Sequence, residues 1–376
     1  MARYIKRGKV WQYEISYKDT DGKYKKLRKS GFPKKADAIS EAGEIESKLA
    51  KGFNAASKDY LLSEHFEKWI EVFKKGKVSD GTYKKYLYTL SVIRSYFADM
   101  TIKTLNRTKY QQALNSYAES KSDESTRQIN THIRSSISNL VDEGIINYDF
   151  TKGAIVKGGK SAKDEYDKYL DFDDFEKLIK EVKIKLNPIY SSPFMIFVGA
   201  MTGMRFSELS GLTWDHINFE EKYIEVIRTW DHSKQDFGPT KNPQSKRKIS
   251  IDSKTMDTIK DFKKRQRVLF DKLDIHPTHD FVFYNAQNGV INNKSINKQL
   301  NALCKKLNLS TTITSHGLRH SHASMLIYKD INILYISKRL GHRSLNVTMS
   351  TYSHAIKELQ DKEDNSVRNI LEGLIE

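Results

Sequence analysis

Residues 8–32 are predicted to form strands, because apolar and polar side chains alternate from residue 11 to residue 18 with the two-residue period of a half-buried β-strand. The apolar members of this alternation are Trp11, Tyr13, Ile15 and Tyr17. Residues 19–22, Asp-Thr-Asp-Gly, are typical of a hairpin turn, and apolar residues recur at helical spacing from about Lys34. The pattern therefore predicts a small sheet backed by one helix, an α+β unit, over residues 1–55.

The spacing of apolar residues becomes helical from residue 60 to residue 150. Two stripes carry this signal: Leu62, Phe66, Trp69, Ile70 and Phe73, then Tyr83, Tyr86, Leu87, Leu90, Ile93 and Phe97. Further helices are predicted near 107–119 and 124–143. Residues 151–164 break the pattern with Gly and Lys, so we expect a flexible, basic linker there.

Residues 165–376 mix both periods, which predicts a third, mainly helical domain. Helices are expected at 173–186, 191–202, 206–213, 253–272 and 294–307. Strands are expected at 222–228, 247–251 and 281–284. A helical run is expected from about residue 317 to the last residue.

The charge of the chain favours a polyanionic partner. The net charge is +17 and the isoelectric point is near 9.5. Residues 1–35 hold twelve Lys or Arg against three Asp or Glu, a net of +9, so about half of the excess lies in the first tenth of the chain. Nucleic acid is the partner this footprint suggests, and a basic surface kept for solubility is the alternative.

The cysteine count and the hydropathy of the chain indicate the cellular compartment in which we expect the protein. Cys304 is the single cysteine, which excludes an internal disulfide and suggests a reducing environment. No apolar run approaches the roughly 18 residues that a membrane-spanning helix needs, and the N-terminus lacks the apolar core of a signal peptide. We therefore expect a cytoplasmic protein with no membrane partner.

Four short polar segments of the last domain carry the candidate chemistry. Their charged, imidazole or phenolic members are Arg205, Glu208, Lys241, His316, Arg319, His320, His342 and Tyr352. Taken singly, each has an ordinary explanation. Arg205 and Glu208 would pair in the first turn of a helix, and a lone Tyr is more often structural than nucleophilic.

A metal site is one alternative for the His-rich segment, since His316 and His320 are four residues apart, as in zinc-binding helices. However, no Glu lies between them as in HExxH, and no Cys cluster accompanies them. Arg319 would also place a positive charge among the ligands. We therefore expect neither a metal nor another cofactor.

The segments make chemical sense together, because two arginines, a lysine and two histidines suit a phosphate better than a neutral substrate. Arg guanidinium groups bind non-bridging phosphate oxygens in bidentate fashion. Tyr is a weak nucleophile with a reference pKa of about 10, and nearby positive charge and a base would activate it. The set therefore predicts phosphoryl transfer to a tyrosine.

At these segments the chain resembles the tyrosine recombinase (phage integrase) family, whose ordered pattern is Arg, Lys, His-x-x-Arg, His or Trp, then Tyr. The resemblance implies that Arg205 and Arg319 clamp the scissile phosphate. It implies that Tyr352 attacks, leaving a 3′-phosphotyrosine and a free 5′-hydroxyl.

The same resemblance implies roles for the remaining positions. Lys241 would protonate the departing 5′ oxygen, although Lys246 and Lys248 stand close by in the sequence. His316 would act as general base and acid, and His342 would donate a hydrogen bond to a phosphate oxygen. Glu208 matches an acidic position that supports the active site and is not itself catalytic.

The resemblance also implies the architecture of a multidomain integrase from a mobile element. Residues 1–55 resemble a three-stranded arm-type DNA-binding domain, and residues 60–150 resemble a helical, SAM-like core-binding domain. The basic linker at 151–164 leads to a mixed, mainly α catalytic domain at 165–376. Candidate DNA contacts are Lys23, Lys25, Lys26, Arg28, Lys84 and Lys85, and a solvated basic surface is the alternative for each.

Double-stranded DNA, with core and arm attachment sites, is the partner that the family implies. A homotetramer on DNA, an excisionase and a host DNA-bending protein are further expected partners, in the cytoplasm and at the nucleoid of a bacterial host. A C-terminal stripe, Val367, Ile370, Leu371, Leu374 and Ile375, would dock on a neighbouring protomer or on its own domain. The alternatives to a recombinase are a DNA-binding regulator on the same fold and a type IB topoisomerase-like enzyme.

Overall fold

A computed structural model describes residues 2–18, 24–50, 60–161 and 169–353, with residues 356, 367, 368, 371 and 372 beyond them. The chain divides into two compact units, Met1–Ala162 and Lys163–Glu376. The predicted hairpin turn at 19–22 lies outside the described residues, as does most of the C-terminal stripe.

The N-terminal residues form three antiparallel strands and one helix. The elements are β1 (Arg3–Arg7), β2 (Val10–Lys18), β3 (Tyr24–Phe32) and α1 (Lys35–Ala50), with the strands in the order β1-β2-β3. Tyr13 and Ile15 of β2 are buried against Ala38 and Ala42 of α1. The alternation along β2 therefore directs its apolar side chains to the helix, as the sequence predicts.

Four helices follow: α2 (Leu62–Phe73), α3 (Asp80–Tyr96), α4 (Arg107–Ala118) and α5 (Asp123–Asp142). Side-chain oxygens of Ser79, Asn106 and Ser122 accept hydrogen bonds from backbone N–H groups at the starts of α3, α4 and α5. Phe66 and Ile93, from the two predicted stripes, are buried in one core shared by these helices. Capping and amphipathic spacing thus both favour the helical domain.

The predicted linker is docked on the helical domain over part of its length. The Ile155 N–H donates to Gln111 Oε1 over 2.9 Å, and the Gly158 N–H donates to Asp123 Oδ1 over 2.7 Å. A Cβ atom on Gly158 would lie 2.3 Å from the carbonyl oxygen of Lys121. The prediction of a flexible linker is wrong for these residues, because their backbone is hydrogen-bonded and packed against α4 and α5.

The second unit contains eight helices within the described residues: α6 (Phe172–Ile184), α7 (Ser192–Thr202), α8 (Phe206–Ser210), α9 (Ser253–Leu273), α10 (Asn293–Lys306), α11 (Ser315–Tyr328), α12 (Ile333–Leu340) and α13 (Leu345–Thr351). Its short strands are β4 (Ile217–Asn218), β5 (Tyr223–Val226), β6 (Arg228–Asp231), β7 (Asp236–Pro239), β8 (Arg247–Ser250), β9 (Tyr284–Asn285) and β10 (Gly289–Val290). The strands form a sheet in the order β4-β5-β8 and two hairpins, β6-β7 and β9-β10. The predicted mixed, mainly α fold class is confirmed.

Three predicted elements of this unit differ in the structure. The expected strand at 222–228 is divided at Ile227, since β5 pairs with β8 while β6 pairs with β7. The expected strand at 281–284 is not continuous, since Phe281 forms an isolated bridge with Thr213 and only Tyr284 belongs to a strand, β9. Over residues 315–351 the expected helical run is divided into α11, α12 and α13, and the left-handed residues Asp330 and Gly341 follow the ends of α11 and α12.

Membrane insertion has no candidate segment in the described part of the chain. None of its helices combines the length and the apolar character that crossing a bilayer requires.

Candidate active site

Arg205 reaches its position through a tight turn between α7 and α8. Gly203 caps α7 in the left-handed conformation at φ 65°, and a Cβ there would lie 2.6 Å from the ring of His322. Arg205 then caps α8. Its guanidinium donates to Glu208 Oε1 at 2.7 Å, Ser245 Oγ at 3.1 Å and the Gly341 carbonyl at 3.0 Å. One guanidinium therefore joins α8, the segment before β8 and the end of α12.

Glu208 is a buried carboxylate between two arginines. It pairs with Arg205 at 2.7 Å and with Arg247 at 3.0 Å, and its side chain is fully buried. Burial acts to raise the pKa of Glu208, but the charges and hydrogen bonds of Arg247 and Arg205 outweigh it and lower that pKa. The carboxylate is therefore ionised and orients both guanidinium groups.

Arg319 is buried on α11 and is held by two carbonyl groups. Its Nη1 donates to the Gly203 carbonyl at 2.8 Å, and its Nη2 donates to the Leu340 carbonyl at 2.6 Å. Burial, and then the positive charge of Arg205, lower the pKa of Arg319 to about 9. Arg319 remains charged at neutral pH, and an arriving anion would relieve its repulsion with Arg205.

His342 follows the left-handed Gly341 at the end of α12. Its Nδ1 lies 2.7 Å from Thr348 Oγ1. Burial, followed by the charges of Arg319 and Arg205, lowers the pKa of His342 to about 3. The imidazole is therefore neutral at physiological pH and can donate one hydrogen bond.

Tyr352 lies at the C-terminal end of α13, and its ring centroid is 6.4 Å from that of His342. It is 3% exposed and packs against a satellite core with Ala323 and Leu340. Its hydroxyl is buried and has no hydrogen-bond partner among the described residues. Burial raises the pKa of Tyr352 to about 12, while Arg319 and Arg205 act in the opposite direction.

His316 and His320 lie at the start of α11, and His320 is close to Tyr352. The His316 and His320 ring centroids are 4.6 Å apart, and His320 is 5.4 Å from the ring of Tyr352. Partial desolvation, then the charges of Arg319, Arg205 and Lys241, lower the pKa of His316, although it is solvent-exposed. Among the described residues, no group of three His, Cys, Asp or Glu side chains could hold a metal ion.

Lys241 stands two residues after β7 and is exposed. Its charge acts on His316, which places it on the same side of the domain as the arginines. Lys248 is instead engaged by Tyr223, with its Nζ 3.2 Å from the phenolic oxygen and 4.3 Å from the ring centroid. The geometry therefore favours Lys241 over Lys248 as the lysine of this site.

The candidate DNA contacts all belong to the first unit. Lys26 and Arg28 of β3 both pair with Glu14 of β2, at 2.9 and 2.5 Å. Lys84 and Lys85 are exposed on α3. Lys23 lies outside the described residues, and Lys25 is on β3 with them. The basic strand is thus partly neutralised by its neighbour.

Three residues that the sequence analysis did not select support the cationic cluster. Arg247 donates to the carbonyl of Arg339 at 2.6 Å, in addition to its pairing with Glu208. Arg339 donates to the Met201 carbonyl at 3.1 Å, and His322 Nδ1 lies 2.8 Å from the Ala200 carbonyl. The carbonyl groups of Ala200 and Met201 belong to the last turn of α7, where intrahelical hydrogen-bond donors are missing. Arg247 follows the Lys241 segment and His322 extends the histidine cluster that begins at His316, so the sequence carried a signal for these two but none for Arg339.

Three family models match successive parts of the chain. Residues 168–358 match the model of the phage integrase family, residues 2–49 match an arm DNA-binding domain, and residues 61–118 match the N-terminal SAM-like domain of phage integrases. The first of these matches alone spans half of the chain.

The integrase of Staphylococcus phage L54a is 31% identical over 183 residues, which are 47% of this chain and 51% of that protein. The ICEBs1 integrase of Bacillus subtilis strain 168 is 24% identical over 341 residues, 88% of this chain and 91% of that protein. Among solved structures, the Tn1549 transposon integrase in complex with transposon right end DNA has a TM-score of 0.65 at 16% identity, covering 81% of this chain and 99% of that one.

A lambda integrase dimer bound to a core site has a TM-score of 0.58 at 16% identity, and it covers 93% of both chains. At these identities the two structures show the fold alone. The family models supply the rest of the identification, since they match the N-terminal, helical and catalytic parts in order. The chain therefore belongs to the phage integrase family and is a tyrosine recombinase of the integrase type.

Proposed function

We propose that this chain integrates and excises a mobile DNA element by cutting each strand with Tyr352. The phenolic oxygen attacks the scissile phosphorus, so an O–P bond to Tyr352 forms while the bond to the 5′ oxygen breaks. The observation that carries the proposal is the buried hydroxyl of Tyr352, which lies near Arg319 and His342 and has no hydrogen-bond partner in the part of the chain that the structure describes. A DNA phosphate would supply the missing contact.

Arg205 and Arg319 hold the phosphate in this proposal. Both guanidinium groups are already fixed by carbonyl or carboxylate acceptors, so they need little reorganisation when negative charge develops. Glu208 balances Arg205 and Arg247, which leaves Arg319 as the buried cation without a carboxylate partner of its own among the described residues. His342 donates to a phosphate oxygen, as its neutral ring permits.

The proton balance is met by side chains of this chain. His316, whose pKa is lowered by desolvation and three cations, accepts the phenolic proton. Lys241 gives a proton to the departing 5′ oxygen. The free 5′-hydroxyl of a partner strand then attacks the phosphotyrosine in the reverse of this step, so bond energy is conserved and the reaction as written uses no metal or other cofactor.

The remaining assignments concern partners and domains. We assign arm-site binding to residues 1–55, core-site binding to residues 60–150 and catalysis to residues 165–376, all on double-stranded DNA. The matches to an arm DNA-binding model and a SAM-like model support the first two. Two rounds of strand exchange require four active sites, which favours a homotetramer on DNA, with an excisionase and a host bending protein as candidate accessories at the nucleoid.

A nicked DNA substrate tests the central step. A duplex carrying the junction sequence beside the gene, nicked close to the crossover, traps the covalent complex because the short leaving strand diffuses away. We expect a slowly migrating adduct on a denaturing gel, abolished by Tyr352→Phe. Tyr335→Phe is the matched control, since Tyr335 is an exposed tyrosine of α12. An adduct that survives Tyr352→Phe would place the nucleophile elsewhere.

A further inference from the structure

The position of Lys241 depends on the hairpin of β6 and β7. Lys241 is exposed, so its place is set by the backbone on either side of it. Thr229 Oγ1 donates to the carbonyl groups of Gly238 and Pro239, at 3.3 and 3.1 Å. These contacts fix the end of β7, just before Lys241. A two-stranded hairpin is marginal by itself in water, so it needs further support.

An aromatic cluster supplies that support. The Trp230 and Phe237 rings, which face each other across the hairpin, have centroids 5.2 Å apart. Phe281 lies 5.0 Å from Trp230 and 5.7 Å from Phe237, and His279 lies 4.7 Å from Phe237. The two contacts of Trp230 are edge-to-face. Such contacts stabilise the folded state beyond the free energy gained by burying the rings. We call Trp230, Phe237, His279 and Phe281 the hairpin cluster.

Arg228 closes the hairpin cluster at the end near Lys241. Its guanidinium carbon is 3.8 Å from the centroid of Phe237, and its Nη2 donates to Thr213 Oγ1 at 2.7 Å. Arg228 pairs with Pro239, two residues before Lys241, in the β6–β7 ladder. A cation over the face of an aromatic ring is attractive, so this contact resists displacement of the strand end.

The other side of the hairpin cluster belongs to the rigid core. Phe281 forms a bridge with Thr213, and the next residue, Val282, donates to the carbonyl of Leu212 at 3.0 Å. Phe281 and Val282 are buried. Leu212 and Thr213 follow α8, and Arg205 caps the start of α8. The hairpin cluster therefore connects the strand that precedes Lys241 to the segment that bears the phosphate-binding arginine.

We propose that the hairpin cluster and Arg228 are positioning residues that hold Lys241 at the leaving oxygen of the scissile phosphate. This rests on the proposed function, in which Lys241 is the general acid. Loosening the hairpin cluster moves Lys241, the proton donor. It leaves the other proposed catalytic side chains in place, namely Arg205, Arg319, His316, His342 and Tyr352. The defect should therefore be confined to departure of the 5′ oxygen.

A substrate with sulfur in place of the 5′-bridging oxygen isolates that step. The sulfur leaves as a thiolate, which needs no proton because thiols ionise near a pKa of about 8.5. The full-length chain would be assayed in single turnover on matched oxygen and sulfur versions of the nicked duplex. The variants are Lys241→Ala, Phe237→Ala and Phe219→Ala, the last a half-buried Phe outside the hairpin cluster.

Loss of the general acid should slow oxygen cleavage by Lys241→Ala on the order of 10²- to 10⁴-fold. Displacement of that acid in Phe237→Ala should slow it by about 10- to 100-fold. Both variants should cleave the sulfur duplex at the wild-type rate, whereas Phe219→Ala should leave the oxygen-to-sulfur rate ratio unchanged. Phe237→Trp, which keeps a ring against Arg228 and Phe281, should restore most of the oxygen rate.

The outcomes separate the two levels of the proposal. If sulfur does not rescue Lys241→Ala, the general-acid assignment fails. If sulfur rescues Lys241→Ala while Phe237→Ala is equally slow on both duplexes, or as fast as wild type on oxygen, the hairpin cluster has no positioning role. Should Phe237→Ala not fold, Arg228→Gln tests the same contact, since it removes the cation over the Phe237 ring and keeps the aromatic packing.

Discussion

Arg319 Nη2 donates a hydrogen bond to the carbonyl oxygen of Leu340 over 2.6 Å, and this bond joins α11 to the end of α12. Leu340 precedes the Gly341-His342 turn, so one guanidinium fixes both its own position and that of His342. A buried cation held only by carbonyl dipoles is suited to receive a phosphate, because its charge is not cancelled beforehand.

Replacing Arg319 by Lys should lower single-turnover cleavage by about 10²- to 10³-fold. Lys keeps the charge but cannot bind Gly203, Leu340 and a phosphate oxygen together in a planar array. DNA binding, measured by gel shift, should change little, because the proposed contacts of residues 1–55 and 60–150 with the DNA backbone remain. Cleavage at the wild-type rate by Arg319→Lys would remove Arg319 from the phosphate clamp.

Glu208→Gln should destabilise the second unit strongly. Breaking a buried ion pair by removing one partner costs about 3–5 kcal/mol, because Arg205 and Arg247 are left without their carboxylate. Urea unfolding at pH 7 measures the loss. Asp261→Asn is the control, since Asp261 forms an exposed pair with Arg265 and should change the midpoint little.

The sign of the pH effect at Glu208 follows from its lowered pKa. The stabilisation is fully present above the ordinary carboxyl pKa of 4.5 and is lost as pH falls through the lower folded value. The stability difference between wild type and Glu208→Gln should therefore shrink only below about pH 4.5. A difference that already vanishes at pH 6 would show that the carboxylate is not the source.

His342 should make the fold sensitive to mild acid. Its folded pKa of about 3 lies below the ordinary value of 6.5, so the unfolded chain binds the proton first. The resulting stability is complete above pH 6.5 and declines as the pH falls toward 3. In urea unfolding at pH 7 and pH 5, His342→Asn should lose less stability than wild type. His276→Asn, at a histidine with 79% of its side chain exposed, should lose as much as wild type.

The sequence predicts most of the helices well, because periodicity reports them directly. The roles of the reactive side chains stay a prediction, which the proximity of Arg319, His342 and Tyr352 supports. It could not predict the support given by Arg339 and His322, since their partners are backbone carbonyls of α7 and carry no residue signature. Gly158 led to a wrong prediction of flexibility, because its contact is also with a backbone carbonyl. Its missing side chain permits close approach to Lys121, whereas the sequence suggested freedom of the chain.

The same limit explains the missed hairpin. Residues that favour strands continue from Tyr223 through Ile227 to Trp230, with no Gly, Pro, Asn or Asp between them. Whether a strand continues or changes its partner is decided by residues distant in sequence, here Arg247 for β5 and Pro239 for β6. Such pairing is not encoded in local periodicity.

The exposed lysines of α3 provide the last prediction. If Lys84 and Lys85 contact DNA phosphates, each releases a condensed counterion on binding. The slope of log affinity against log salt should then fall by about 0.9 for each lysine replaced by Gln. Fluorescence anisotropy on core-site DNA between low and moderate salt measures this slope for the single and the double variants.

Lys180→Gln is the control for this series, since Lys180 is similarly exposed on α6 but pairs with Glu176 at 3.1 Å. It should leave the slope unchanged. Because phosphate contacts carry no base information, the affinity for core-site and unrelated DNA should fall by the same factor in Lys84→Gln and Lys85→Gln. An unchanged slope in the double variant would make the polar face of α3 a solvated surface, and a loss confined to the core site would instead indicate base readout by these side chains.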